Sequence, residues 1–240
     1  MDGYRKELKY IVGDDVMLDC RCRIAALMKK DVHQPGDFYR IRSVYFDSPS
    51  HTCFYENAAG VSTREKYRIR TYNCSPDLAI AEIKIRHREA ISKMSAKISA
   101  QMAEALISKT GDTLHVLSEA ISKSREEGRD DEARVLEKYL AKISTQAYRP
   151  SVIVDYERSA YVYDIGNVRI TFDRNVFGSQ EYARFFDENL TGRPALDGGE
   201  HILEIKYDEF LPDEILSVLG GLGLQRSSSS KYAACLSRFI

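Results

Sequence analysis

The chain has 240 residues, 43% of them hydrophobic and 30% charged, enough apolar mass to bury a core within one folded unit. Thirty-five Lys and Arg nearly balance 36 Asp and Glu, so no global basic field recommends nucleic acid or an anionic membrane, and any affinity for anions must be local. Met1-Asp2-Gly3-Tyr4-Arg5-Lys6 carries no apolar export signal, no run is apolar enough to span a bilayer, and five scattered cysteines lack metal-ligand spacing; a soluble cytoplasmic protein with reduced thiols is expected.

In chain order, Tyr4 to Val12 reads as a strand and Gly13-Asp14-Asp15 as a turn and helix start. A helix comes next over about Val16 to Met28, with Met17, Cys20, Ile24 and Leu27 on one face. Tyr39 to Phe46 is a second strand that places Tyr39, Ile41, Ser43 and Tyr45 on one side, and Asp47-Ser48-Pro49 starts a short helix toward Tyr55. Glu65–Tyr72 and Leu78–Arg88 read as a hairpin joined by the turn-rich Asn73-Cys74-Ser75-Pro76-Asp77. From Ser95 to Gln146 apolar residues recur at helical spacing, which predicts two to three helices. The chain 1–240 is therefore read as one domain with a helical insertion over about 95–147. Val152 to Tyr163 and Val168 to Asp173 form a second predicted hairpin, 174–199 an irregular loop and His201 to Tyr207 the last strand. Pro212–Leu219 and Tyr232–Phe239 are predicted helices, the second capped by the serine run 227–230.

The strands carry charge where soluble strands usually carry core. Lys66-Tyr67-Arg68-Ile69-Arg70 and Glu82-Ile83-Lys84-Ile85-Arg86-His87-Arg88 place ionic groups at every second residue, and Val168-Arg169-Ile170 and Glu204-Ile205-Lys206 repeat the theme. Successive strand side chains point to opposite faces, so one face is ionic throughout. Burying that face dry would cost more than a domain's whole stability, which leaves open solvent or a wet cavity holding something anionic. At least seven strands, mostly in hairpins, predict an α+β fold: an antiparallel barrel with a charged, hydrated inner face and helices packed outside. Multiple charges along a line suit a linear polyphosphate, with Arg forks taking oxygens bidentately and Lys supplying point charges.

Eight segments occur in a family's order: Arg5-Lys6-Glu7-Leu8-Lys9-Tyr10, Val44-Tyr45-Phe46-Asp47-Ser48-Pro49, Tyr67-Arg68-Ile69-Arg70, Glu82-Ile83-Lys84, Arg149-Pro150 with Asp155-Tyr156-Glu157-Arg158, Arg169-Ile170-Thr171-Phe172-Asp173, Leu203-Glu204-Ile205-Lys206 and Ser230-Lys231-Tyr232. Together they resemble the VTC domain, the polyphosphate polymerase branch of the triphosphate tunnel metalloenzyme (CYTH-like) superfamily. The resemblance implies a closed tunnel in which ATP binds with Mn²⁺ or Mg²⁺ and passes its γ-phosphoryl group to inorganic polyphosphate. It implies that Lys9, Arg68, Arg70, Lys84, Arg158, Arg169, Lys206 and Lys231 grip phosphates and that Tyr156 and Ser230 add hydrogen bonds. It further implies that Glu204, with Glu7, holds the metal.

The hydrolytic tunnel enzymes open on a Glu-x-Glu-x-Lys strand; Arg5 stands at the first of those positions here, leaving Glu7 alone and weakening a triphosphatase reading. A tunnel-type triphosphatase and a non-catalytic domain that binds polyphosphate or inositol polyphosphate are the alternatives. No nucleic-acid partner is expected, because aromatics do not interleave the basic strands, and any membrane partner lies outside these residues. A lone strand Arg is most often solvated, and Arg64, Arg86 and Arg88 are read that way; Lys93 and Lys97 stand at the tunnel mouth or at a solvated helix start. Arg68→Ala and Lys84→Ala are expected to abolish phosphate binding with little loss of stability, each removing a repelling interior charge.

Overall fold

In the computed structural model, which describes residues 6–88, 90–108, 113–227 and 230–240, the alternation of ionic and branched apolar residues builds one large antiparallel sheet. Its long strands are β1 (Lys6–Gly13), β3 (Tyr39–Asp47), β4 (Thr63–Tyr72), β5 (Ala79–His87), β6 (Ala90–Ile98), β7 (Arg149–Tyr163), β8 (Val168–Ser179) and β10 (Glu200–Tyr207). Two short ones, β2 (Lys29–Lys30) and β9 (Arg193–Pro194), pair with β7 and β8. The long strands run in the order β1-β10-β8-β7-β3-β4-β5-β6. The sheet curls until Glu7 on β1 meets Lys84 on β5 at 3.6 Å.

The expected closed barrel is not formed, because no ladder joins β1 to β6. The free edge of β1 is already occupied: Arg226 bridges Tyr10, and the Ser227 N–H donates to the Lys9 carbonyl at 2.8 Å. Across the gap, β6 lies under a helix, α5 (Asp130–Gln146), whose Glu132 accepts the Lys97 N–H at 3.3 Å. Each edge thus has a cover other than its opposite number.

The apolar core lies outside the curl. Helices α3 (Ala100–Ser108), α4 (Thr113–Glu126) and α5 cover Val44, Phe46, Ile69, Ala81 and Ile83, all buried on the outer face of β3 to β5. A second cluster joins Met17, Cys20 and Ile24 of α1 (Asp14–Ala25) and Ile215 of α6 (Asp213–Leu219) to Ile170, Phe172, Leu203 and Ile205 of β8 and β10. Two short helices, α2 (Thr52–Ala58) and α7 (Lys231–Leu236), flank one mouth of the tube.

Two sequence expectations change. Ala90–Ile98 is a full strand, so Lys93 and Lys97 sit on β6 and not at a helix start; its short alternating side chains carry too little hydrophobic contrast to reveal a period. The hairpin strand after Asn167 runs on to Ser179, deep into the predicted loop. The chain beyond Ser179 is pinned by Arg42, fully buried on the outer face, which donates to Asp155 at 2.6 Å and to the Phe185 and Asp187 carbonyls at 2.8 and 2.7 Å. Tyr4 and Arg5 of the first predicted strand, and Ser228 and Ser229 of the serine run, lie outside the described residues.

Candidate functional site

Strand register assembles the inner face. Tyr45, Arg68 and Glu82 stand opposite one another across β3, β4 and β5, as do Lys66 and Lys84 on β4 and β5. On the far wall Glu7 faces Lys206 and Lys9 faces Glu204 across β1 and β10. On β7 the inward parity carries Tyr156 and Arg158 into the cavity, while a bulge on β8 between Arg174 and Phe177 shifts the register opposite Tyr156. Glu7, Lys9, Tyr45, Lys66, Arg68, Lys84, Tyr156, Glu204 and Lys206, with Arg70, Arg158, Ser230 and Lys231, enclose a cavity of about 140 Å³, and Glu82 stands behind Arg68. Eight of its thirteen lining residues are Lys or Arg and two are Glu. A neck of about 100 Å³ past Lys66, Arg64 and Arg86 leads to a vestibule of about 630 Å³ bordered by Phe54, Asn57 and Ala234, and Glu7, Lys9 and Ser230 line all three spaces.

Three ion-pair groups hold the cations in place. Arg68 Nε donates to Glu82 at 2.8 Å, and Arg70 and Lys93 approach the same carboxylate at 3.5 and 3.3 Å. Burial works against ionised Glu82, but Arg68 and Arg70 outweigh it and bring the carboxyl down to about 2. Asp173, fully buried, takes a two-pronged bond from Arg158 at 2.6 and 2.8 Å and meets Lys231 at 2.5 Å. In the third group, Lys206 lies 2.5 Å from Glu204, and Lys9 lies 3.1 Å from Glu7 and 3.7 Å from Glu204. Burial opposes charge on Glu204, yet Lys206, Lys9 and Lys231 hold it well below the ordinary carboxylate range. Lys206 and Lys84 are drawn down by the same burial, since each shares its carboxylate with other ammonium groups. The cavity is over-supplied with positive charge that its own carboxylates do not neutralise.

The VTC domain family model matches residues 4–240. The chain belongs to the VTC domain family. Among solved structures, a Bacillus halodurans protein described as a candidate adenylate cyclase shares the fold at TM-score 0.50 and 13% identity, over 99% of each chain. The PH1819 protein of Pyrococcus horikoshii aligns at TM-score 0.49 and 15% identity, over 98% of this chain and 99% of that one. No curated protein sequence matches. Family and fold likeness together support a CYTH-like tunnel fold, here with its wall unclosed between β1 and β6.

In this VTC domain the sequence-expected phosphate grips Lys9, Arg68, Arg70, Lys84, Arg158, Lys206 and Lys231 line one cavity together with Tyr156 and Ser230. Arg169 shares the inner face, opposite Lys206, but is drawn aside to Asp31 at 3.0 Å and does not line the cavity. Lys93 is likewise engaged with Glu82 and more than half exposed. Arg64 and Arg86 are not solvated outer-face residues: they share the parity of Lys66 and Lys84, and both line the neck. Arg88 is exposed beyond the end of β5, as expected.

Lys66, Tyr45, Glu82 and Asp173 receive no role from the sequence, although the strand period carries all four. Lys66 spans neck and cavity, donating to Asn57 at 2.8 Å and Ser230 at 2.9 Å. An acid or a tyrosine on a basic face reads as a spacer between cations, which hides the other three.

For the expected divalent ion, Glu7 and Glu204 offer two carboxylates on adjacent strands, linked through Lys9. Among the described residues no three His, Cys, Asp or Glu side chains converge, so the donor set is that of a hard ion carried in on phosphate oxygens and steadied by one or two carboxylates. On those terms the residues fit. The five cysteines are free, and burial pushes the thiols of Cys20, Cys53 and Cys235 up to about 12, which leaves them inert. No described helix is long and apolar enough to cross a membrane.

Proposed function

We propose that this VTC domain is a phosphotransferase that passes the ATP γ-phosphoryl group to a growing inorganic polyphosphate chain. The observation that carries the reading is the excess of cations around a cavity of about 140 Å³: eight Lys and Arg line it against Glu7 and Glu204, and with Glu82 and Asp173 behind the wall a surplus of four remains, a size and sign that suit a few linked phosphoryl groups. Arg68, Arg70 and Arg158 are the forked donors for phosphate oxygens, while Lys9, Lys84, Lys206 and Lys231 supply point charges from the facing walls. Phosphoryl transfer asks mainly for in-line positioning and neutralisation of charge on the equatorial oxygens, and a fixed ring of cations provides both without reorganisation. Ser230, at the N-cap of α7, and Tyr156, on the inner face of β7, orient the chain. A divalent ion bound at Glu7 and Glu204 would add charge neutralisation on bridging oxygens.

Incubation with ATP and Mn²⁺ should yield ADP and a ladder of polymer; ADP with free phosphate and no polymer would overturn the polymerase reading. A tunnel-type triphosphatase is the second reading, favoured by Glu7 standing beside Glu204 with Lys9 between them. Loss of phosphate release in Glu7→Gln, with no polymer in either protein, would select it.

A further inference from the structure

We propose that Tyr45 is a phosphate ligand of the inner cavity that serves only in its protonated form, so that loading the cavity with a polyphosphate draws a proton onto its phenol. The proposal rests on the phosphate-binding reading above and extends it to a residue that neither the motif resemblance nor the strand charges single out.

Tyr45 ends the inner row of β3, nine-tenths buried, with its ring stacked on Tyr232 of α7 at 4.8 Å between centroids. It lines the cavity, and its hydroxyl oxygen accepts a bond from Arg68 Nη1 at 3.0 Å. Among the described residues nothing accepts a hydrogen bond from that hydroxyl, so a buried O–H with no protein acceptor stands beside the space where phosphate oxygens would sit. The groups around it are Lys66, Arg68 and Arg70 of β4, Tyr156 of β7, Lys231 and Tyr232 of α7, and Glu82 of β5 behind Arg68.

In the empty cavity these groups work toward ionisation. Burial alone would raise the phenol, but Arg68 and Arg70, with Lys66, bring it down to about 8. The other tyrosines with displaced values, Tyr39, Tyr67, Tyr139, Tyr148, Tyr182 and Tyr232, all move upward, burial being the largest cause for each. A polyphosphate reverses the balance at Tyr45. It neutralises the three cations, repels a phenolate at contact distance and offers the O–H the acceptor it lacks. Lys66, which burial brings down to about 8, gains a proton under the same influence, so proton uptake alone does not report on Tyr45. The ultraviolet absorption of phenolate does, because lysine is silent there.

The test is a titration of the protein with inorganic triphosphate at about pH 9, one unit above the phenol's displaced value, monitored by the phenolate band. Expected is loss of up to about one tyrosinate on saturation, absent in Tyr45→Phe, which keeps the ring stack on Tyr232. Between about pH 8 and about pH 9 wild-type affinity should also fall about fivefold further than that of Tyr45→Phe. Binding of triphosphate with an unchanged phenolate band overturns this proposal and leaves the phosphate-binding reading standing. Absence of binding to the wild type overturns that reading and the proposal with it. An unchanged wild-type band overturns the proposal even if Tyr45→Phe folds poorly.

Discussion

Glu82 shows how far one buried carboxylate organises the cavity. It is 3% exposed and anchors Arg68, Arg70 and Lys93 at once, so its ionised form belongs to the folded state. A carboxyl lowered on folding contributes stability above its ordinary 4.5 and loses it as pH falls toward about 2. That displacement corresponds to about 3 kcal/mol near neutral pH, lost progressively below about pH 4.5. Urea unfolding at about pH 6 and about pH 3 should show the loss, with a smaller difference in Glu82→Gln; equal pH dependence in the two proteins would contradict the assignment. The same geometry revises the expectation for Arg68→Ala. Removing Arg68 strips Glu82 of its closest partner, so the variant should lose triphosphate binding and also about 2 kcal/mol of stability, the remainder being shielded by Arg70 and Lys93. Lys84→Ala, whose ammonium burial already disfavours, should lose affinity with stability nearly intact, as a calorimetric titration and a melting curve would show.

Among the elements, α7 carries the most consequence for its six residues. Ser230 caps it by accepting the Ala233 N–H, and the same hydroxyl meets Lys66, so the cap ties the helix to the cavity wall. Gly178 on β8 lets the helix come close: a Cβ there would stand 2.9 Å from Cys235 Cβ and 3.2 Å from its carbonyl oxygen. Gly178→Ala should therefore push α7 off the sheet, lower stability by about 2 kcal/mol and weaken triphosphate binding through displaced Lys231. Unchanged binding would mean that α7 does not set the position of Lys231. The strands with strong alternation, β4, β5 and β10, are legible in the sequence, because an ionic face at period two has no helical counterpart. Strand β6 is not, since Ser92, Ser95 and Ala96 contrast too little in polarity. Within the site the cavity-lining cations emerge from parity and family resemblance together. Arg169 departs because Asp31, far away in sequence, competes for its guanidinium, and no local pattern announces that pairing.

Across the whole molecule the charge is unevenly shared. The formal net charge is −1 while the cavity lining, with Glu82 and Asp173 behind it, carries a surplus of four, which leaves the rest of the chain at about five net negative charges. A polyanion is thus repelled by most of the surface and attracted only through the mouths, where Arg64 and Arg86 stand. Raising salt from about 0.05 M to about 0.5 M should weaken triphosphate binding by more than tenfold while the melting temperature moves little; salt-independent affinity would argue that the ligand does not reach the cations.

The unpaired boundary between β1 and β6 gives this tube a property that a sealed cylinder lacks. Strand number and stagger fix the girth of a closed barrel, and widening it means breaking a ladder. Here Glu7 on the β1 edge reaches past β6 to Lys84 on β5, a partly exposed pair worth less than about 1 kcal/mol. Widening this bore around a bulkier or more hydrated anion, like opening a split collar, would therefore require no strand pairing to break.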